Sequence, residues 1–224
     1  MKRTMFALGA ALLLSGSLAQ AAALNVTIWQ AIPGKSAAMM ESAMAAKAIQ
    51  EKLGASVTIA LDNTGRLHYG VGGFENWGAW AKWVEKLQDS EDWAAWQQRS
   101  GADPAAIQEE NFILNTVPGT DSPVGRDDLG SVYQVFIWDP SGTNVAPLVE
   151  RALQAAAIHA KAGIAVGVSV DQHLRMHYVM NFKDWADWAK LQDNPIEEFE
   201  QFMLRNAANP VGDLVEVYTV NRLP

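Results

Sequence analysis

Two histidines share a sequence setting that could support proton transfer or ligand binding. His68 follows Arg66 by two residues, and His177 follows Arg175 by two residues, each inside a short stretch with the pattern of a β-strand. A histidine can move a proton near neutral pH, bind a ligand or coordinate a metal. It can equally be a structural residue, bonded to a neighbouring strand or carboxylate. The sequence leaves both interpretations open.

Each of the two arginines also has two possible roles. Arg66 and Arg175 could hold the carboxylate of a ligand, or they could pair with Asp62 and Asp171 across the turn that precedes each of them. We favour the internal pairs. A metal site would need about three convergent ligands, and the two histidines supply only two, so we expect no bound metal.

These residues recur because the chain contains an internal repeat. Residues 66–69 (Arg-Leu-His-Tyr) return as residues 175–178 (Arg-Met-His-Tyr) at an offset of 109, which also relates Trp29 to Trp138. Further along, residues 86–89 match residues 190–193 only if the second copy lacks about one helical turn. A loss of that size keeps apolar positions on one helix face, so we place this region on a helix.

Each copy predicts the same series of elements. An apolar strand is followed by an Ala-rich helix, two strands in a hairpin, a Trp-bearing helix with a short further helix, and a closing strand. The order β-α-β-β-α-β is that of a ferredoxin-like unit. We expect one unit over residues 22–117 and another over residues 131–224. They are joined by a Pro- and Gly-rich linker, residues 118–130.

The repeated units resemble a known superfamily. The strand–helix junctions Phe74-x-x-Trp77 and Phe182-x-x-Trp185, together with the element order and the duplication, resemble the dimeric α+β barrel superfamily. The junctions look like those of NIPSNAP-type and antibiotic-biosynthesis-monooxygenase-type members. The resemblance covers residues 25–224 and implies an α+β fold in which two ferredoxin-like units form one barrel within the chain. We therefore expect a monomer with pseudo-twofold symmetry.

Strand alternation predicts which side chains face the inside of that barrel. One face of each hairpin is aliphatic and suits packing under helices, while the other carries His and Arg beside small residues that would leave a cavity. The candidate catalytic residues are His68 and His177, and the candidate ligand-binding residues on this face are Trp29, Arg66, Trp138, Arg175, Glu216 and Tyr218.

Three classes of function remain. We favour binding of a small, partly apolar ligand in the barrel cavity. The first alternative is a cofactor-independent enzyme of the monooxygenase or isomerase kind, with His68 and His177 as acid–base groups, and the second is a structural protein without a ligand. We expect no cofactor. The resemblance offers haem as an alternative, but the superfamily members that bind haem usually use a His on a helix, and no residue of this sequence matches that His.

The N-terminus and the charge bear on location and partners. Lys2 and Arg3, an apolar run over residues 5–14 and the small-x-small pattern Ala19-Gln20-Ala21 predict a signal peptide over residues 1–21, and hence a periplasmic or secreted protein. The chain has no Cys, so its stability must come from an apolar core. Its net charge of −8, or −10 without Lys2 and Arg3, argues against nucleic acid and membrane surfaces as partners.

Overall fold

The computed structural model describes residues 23–120, 130–142 and 144–223. The predicted signal peptide, residues 1–21, and residues 121–129 of the predicted linker lie outside the described residues. In the described part of the chain, no helix combines the length and the apolar character needed to cross a membrane.

Eight strands and six helices follow one another in two similar series. The strands are β1 Ala23–Ala31, β2 Ser56–Asp62, β3 Leu67–Phe74, β4 Ala106–Thr116, β5 Val132–Pro140, β6 Ala165–Val170, β7 Met176–Phe182 and β8 Gly212–Arg222. The helices are α1 Ser36–Lys52, α2 Trp77–Gln88, α3 Glu91–Ala102, α4 Ala146–Lys161, α5 Trp185–Asp193 and α6 Glu197–Ala207. We call residues 23–116 the first unit and residues 132–222 the second unit.

The strands form one closed antiparallel barrel in the order β1-β3-β2-β8-β5-β7-β6-β4. Two short seams join the units. In one, β2 pairs with β8 from Ala60 to Asp62, and in the other β4 pairs with β6 at Asn115 and Thr116. This arrangement confirms the predicted fold class, two tandem ferredoxin-like units closed into an intramolecular α+β barrel.

The apolar core has three layers. The middle layer fills the barrel and contains Leu24, Ile28, Phe112, Ile137 and Tyr218 among its buried side chains. An outer layer on each side packs the sheet of one unit against the helices of the same unit. Residues of the barrel layer and of an outer layer alternate along each strand, because successive side chains of a strand point to opposite faces.

The prediction that Trp29 and Trp138 share the inner face with the histidines is wrong. In β1 and β3, Ile28 lies opposite His68 while Trp29 lies opposite Leu67. Residues opposite each other in neighbouring strands share a face, so Ile28 points into the barrel and Trp29 packs under the helices. Trp138 packs under the helices of the second unit for the same reason. The assignment was one residue out of register, which moves a side chain to the other face.

The two units differ in the helix that follows their hairpin. Helices α2 and α5 each begin at a Trp after a capping side chain, Asn76 or Asp184, that accepts a hydrogen bond from the first turn. Helix α2 has 12 residues and buries Trp83 and Leu87, whereas α5 has 9 residues and buries none. The deletion predicted from the sequence is therefore confirmed, because α5 is shorter than α2 by about one helical turn. As a result, α5 buries fewer side chains than α2 does.

Candidate functional site

The turn between the two hairpin strands of each unit is organised by a buried aspartate. Asp62 accepts five hydrogen bonds, from the backbone and hydroxyl of Thr64, the backbone and Nε of Arg66, and the ring of His68. Its side chain has no exposed surface. The separation between Arg66 Nε and Asp62 Oδ2 is 2.7 Å, so the favoured internal ion pair is present.

The second unit repeats this arrangement. Asp171 accepts from the backbone of His173, from the backbone and Nε of Arg175, and from His177. In both units the distance from the histidine Nε2 to the aspartate Oδ2 is 3.1 Å. We call each set of three side chains an Asp–Arg–His cluster: Asp62, Arg66 and His68 in the first unit, and Asp171, Arg175 and His177 in the second.

The electrostatics of the clusters favour a charged aspartate. Burial alone would raise the pKa of Asp62, but the hydrogen bonds from Thr64, His68 and Arg66 outweigh it and hold that pKa well below its usual range. The same balance, with bonds from His177, Arg175 and His173, lowers the pKa of Asp171 to about 2. Burial lowers the pKa of His68 despite its bond to Asp62, so this ring is neutral at pH 7.

The protonation of the His68 ring follows from its partner. An ionised carboxylate can only accept hydrogen bonds, so Nε2 of the neutral ring carries the proton that it donates to Asp62. His68 and His177 are 6% and 3% exposed. In each cluster the histidine is thus a buried, hydrogen-bonded ring, and any base chemistry at His68 would have to use Nδ1.

Both predicted residues of β8 lie next to the first cluster. Glu216 is 3.4 Å from Arg66 Nη2, and the ring of Tyr218 lies 4.7 Å from that of His68. In the second cluster, Phe112 takes the place of Tyr218 and contacts His177 edge to face at 4.8 Å. Burial of Glu110, together with the charge of Glu216, raises the pKa of Glu110. The inner ends of the clusters are therefore crowded with side chains.

The barrel interior does not contain the ligand-sized cavity that the sequence suggested. The small residues Thr58, Ala60 and Ser169 do line a space beside His68 and His177, but its volume is about 80 Å³. Pockets for small organic ligands usually measure about 300–1,000 Å³. Large side chains such as Phe112 and Tyr218 fill the rest. No group of three or more His, Asp or Glu side chains within the described ranges could hold a metal ion.

A much larger cavity lies between the sheet and the helices of the second unit. Its volume is about 550 Å³. We call it the helix-side cavity. Its apolar lining residues are Phe136, Trp138, Leu148, Ala152, Ala155, Met176, Met180, Leu191, Pro195, Ile196, Phe199, Phe202, Met203, Ala207, Pro210, Val211 and Leu214. Trp138, expected inside the barrel, is thus a residue of this second cavity.

Few polar groups reach the helix-side cavity. Of the residues that line it, Arg151 alone has a formally charged side chain, and the other polar side chains are Gln134, Gln192, Asn206, His159 and Tyr178. The distance between His159 Nδ1 and the Tyr178 hydroxyl is 2.6 Å. Burial lowers the pKa of His159 to about 4, so its ring is neutral at pH 7. The cavity is therefore a mainly apolar chamber with a single positive charge.

The same layer of the first unit is occupied by side chains. Trp83 and Leu87 are buried there, and Trp93 and Trp96 stack at 4.4 Å and pack against the same core. In the second unit, Leu191 is the residue that the repeat aligns with this part of α2. The shorter α5 thus brings less bulk to the sheet, which contributes to the cavity.

The helix-side cavity was not predicted from the sequence. Ala152, Ala155 and His159 are spaced three and four residues apart in α4, which places them on one helix face. The first unit has alanines at both equivalent positions, Ala43 and Ala46, yet its core is filled, so the small residues alone do not predict the cavity. The repeat adds that His159 replaces Gln50, whose Oε1 accepts a hydrogen bond from Tyr69 at 2.9 Å.

No family model matches the chain, and no curated protein matches it. Solved structures do. A candidate monooxygenase from Fusobacterium nucleatum is 11% identical and superposes with a TM-score of 0.65, over 92% of this chain and 94% of its own. One from Lactobacillus acidophilus, also 11% identical, has a TM-score of 0.60, over 91% and 94%. A heme-binding protein from Thermus thermophilus, 10% identical, has a TM-score of 0.54, over 92% of both chains. At these identities the likeness shows the fold alone.

Proposed function

Since the chain has the dimeric α+β barrel fold, with both halves in one polypeptide, we propose that it binds a small, largely apolar molecule in the helix-side cavity. This proposal rests on the cavity of about 550 Å³ in the second unit. In the first unit, tryptophan side chains occupy the equivalent layer. Leaving such a space empty costs stability, because its lining loses packing contacts. A bound molecule would restore those contacts.

The barrel histidines support an enzymatic function less well. In His68 and His177, Nε2 is hydrogen-bonded to an aspartate and is not available to a substrate. The space beside the two rings, about 80 Å³, is too small for an organic substrate. A cofactor-independent reaction at these two rings would need the barrel interior to open. Because two structural neighbours are named as monooxygenases, an oxidative reaction is the alternative function. Its substrate would fit in the helix-side cavity.

Haem is a further candidate ligand, because one structural neighbour is named a heme-binding protein. His159 lies on a helix and borders the cavity, as an axial ligand would need to. Its ring, however, is 2% exposed, its Nδ1 contacts the Tyr178 hydroxyl, and the ring of Phe199 lies 4.4 Å away. In this arrangement the imidazole is covered, so the residues present do not fit an axially bound haem.

A cavity-filling substitution tests the proposal. In Ala155→Phe, the new ring would occupy the helix-side cavity, so affinity for the neutral apolar dye Nile red should fall at least about tenfold. The folded state should lose little stability, because the ring enters existing space. Fluorescence titration measures the affinity, and thermal unfolding measures the stability. A parallel titration with hemin, followed by absorbance, compares haem with other ligands.

The repeat offers a matched control. Ala46 is the first-unit counterpart of Ala155, and it is buried in a filled core. Ala46→Phe should therefore destabilise the protein by about 1–3 kcal/mol through overpacking and leave dye affinity unchanged. If the wild-type protein bound no apolar dye, or if Ala155→Phe bound it as well as wild type, the helix-side cavity would not be the binding site.

We also propose that the protein acts outside the cytoplasm, as the charged start, the apolar run and the Ala19-Gln20-Ala21 pattern suggest. The mature chain should then begin at Ala22. N-terminal sequencing of the protein purified from its own cells measures this directly, and a mature chain that retained Met1 would contradict export.

A further inference from the structure

We infer that the ligand of the helix-side cavity carries one anionic group, a carboxylate in the simplest case, which Arg151 binds while the apolar body of the ligand fills the cavity. This inference rests on the proposed function, and it narrows the ligand from any small apolar molecule to an amphipathic monoanion.

The first support is the state of the Arg151 side chain. Within the part of the chain that the structure describes, its guanidinium donates one hydrogen bond, from Nη1 to the carbonyl of Asn209 at 2.9 Å, and it forms no ion pair. A guanidinium has five N–H donors, and a carboxylate can accept two of them side by side. Arg66 and Arg175 show the contrast, because each is paired with its aspartate.

The second support is the charge balance of the cavity. Its lining contains no Asp or Glu, so nothing in the wall neutralises Arg151 or repels an anion. His159 is neutral at pH 7 because burial lowers its pKa to about 4, and so it adds no second positive charge. An apolar chamber with a single positive charge on its wall favours a ligand with one negative charge.

The third support comes from the repeat. The first-unit counterpart of Arg151 is Ser42, whose carbonyl accepts a hydrogen bond from the indole of Trp96 at 3.0 Å. The arginine therefore occurs in the unit that has the cavity, and a small residue hydrogen-bonded to a tryptophan occurs in the unit that is filled. A role in packing alone does not explain this difference, since Arg151 lines the cavity and its guanidinium donates a single hydrogen bond within the described residues.

The test compares an acid with the matching alcohol. Decanoate and decanol have the same apolar chain and differ in the charged group, and calorimetric titration measures each affinity. Wild type should bind decanoate about tenfold more tightly than decanol. Arg151→Met, which keeps the length of the side chain and removes the charge, should lose that preference and bind decanol as wild type does. Arg205→Met removes a charge from the exposed face of α6 and should leave the preference intact.

The outcomes separate the inference from the function on which it rests. If wild type bound both compounds equally, or if Arg151→Met kept the preference for decanoate, the inference of an anionic group on the ligand would be wrong. The proposal of an apolar binding site would be unaffected. If Arg205→Met lost the preference as well, the effect would be one of net charge and the inference would fall. If wild type bound neither compound and no Nile red, both the site and the inference would be overturned.

Discussion

Replacing Asp62 by Ala should lower the free energy of unfolding by about 3–5 kcal/mol, the usual cost of removing one partner from a buried ion pair. The carboxylate is fully buried and accepts five hydrogen bonds. Without it, Arg66 Nε, the ring of His68, the Thr64 hydroxyl and two backbone N–H groups lose their acceptor, while Arg66 Nη2 keeps Glu216 as a partner. Denaturant unfolding at pH 7 measures the loss, and Asp171→Ala should give a similar one.

Two comparisons make this result specific to the cluster. Asp92, exposed and paired with Lys52, is the control, and Asp92→Ala should change stability little. The depressed pKa values of Asp62 and Asp171 supply stability that is present above their ordinary pKa, about 3.8, and is lost as the pH falls toward 2. The difference in the free energy of unfolding between wild type and Asp62→Ala should therefore become smaller as the pH falls over that range. A gap that stayed constant down to pH 2 would show that the charge of Asp62 is not what stabilises the turn.

Replacing both barrel histidines by Ala should cost about 1–3 kcal/mol at each position and leave ligand affinity in the helix-side cavity unchanged. Each substitution removes a donor from a buried aspartate and a ring from the barrel core, where His68 contacts Tyr218 and His177 contacts Phe112. The single losses should add in the double variant if the two sites are independent. Thermal unfolding and the dye titration are the two measurements.

Two further variants separate a structural role from a chemical one. His173 is exposed in the turn before Arg175, and His173→Ala should have little effect. In His68→Gln, the amide nitrogen can take the position of Nε2 and donate to Asp62, so much of the stability should return. Ligand turnover or affinity that vanished with His68→Ala and did not return with Gln, while stability did return, would establish a chemical role for the ring.

Much of the fold could be predicted because the repeat records it twice. The order of elements, the hairpins, the Asp–Arg pairs and the closure of two units into one barrel follow from patterns within about ten residues and from the duplication. The inner position of His68 and His177 followed from alternation within a single strand. Local patterns of this kind are decided by neighbouring residues, so a sequence contains the information directly.

The errors concern relations between distant parts of the chain. Whether Ile28 or Trp29 faces the barrel depends on how β1 is placed beside β3, some forty residues later, and a shift of one residue inverts the answer. Small residues on β2 and β6 predict an open barrel cavity, but Phe112 and Tyr218 on β4 and β8 fill the space. The helix-side cavity depends on the summed volumes of several elements, which periodicity does not measure.

The fusion of two units into one chain has a consequence for how many ligands a barrel can hold. In a barrel made from two identical chains, a shortened helix would occur in both halves, and each cavity would have a symmetric twin. Here the short α5 belongs to the second unit only, opposite the longer α2 of the first. A ligand bound in the helix-side cavity would therefore belong to one half of the molecule, and within the described residues the first unit has no equivalent cavity through which its binding could become cooperative.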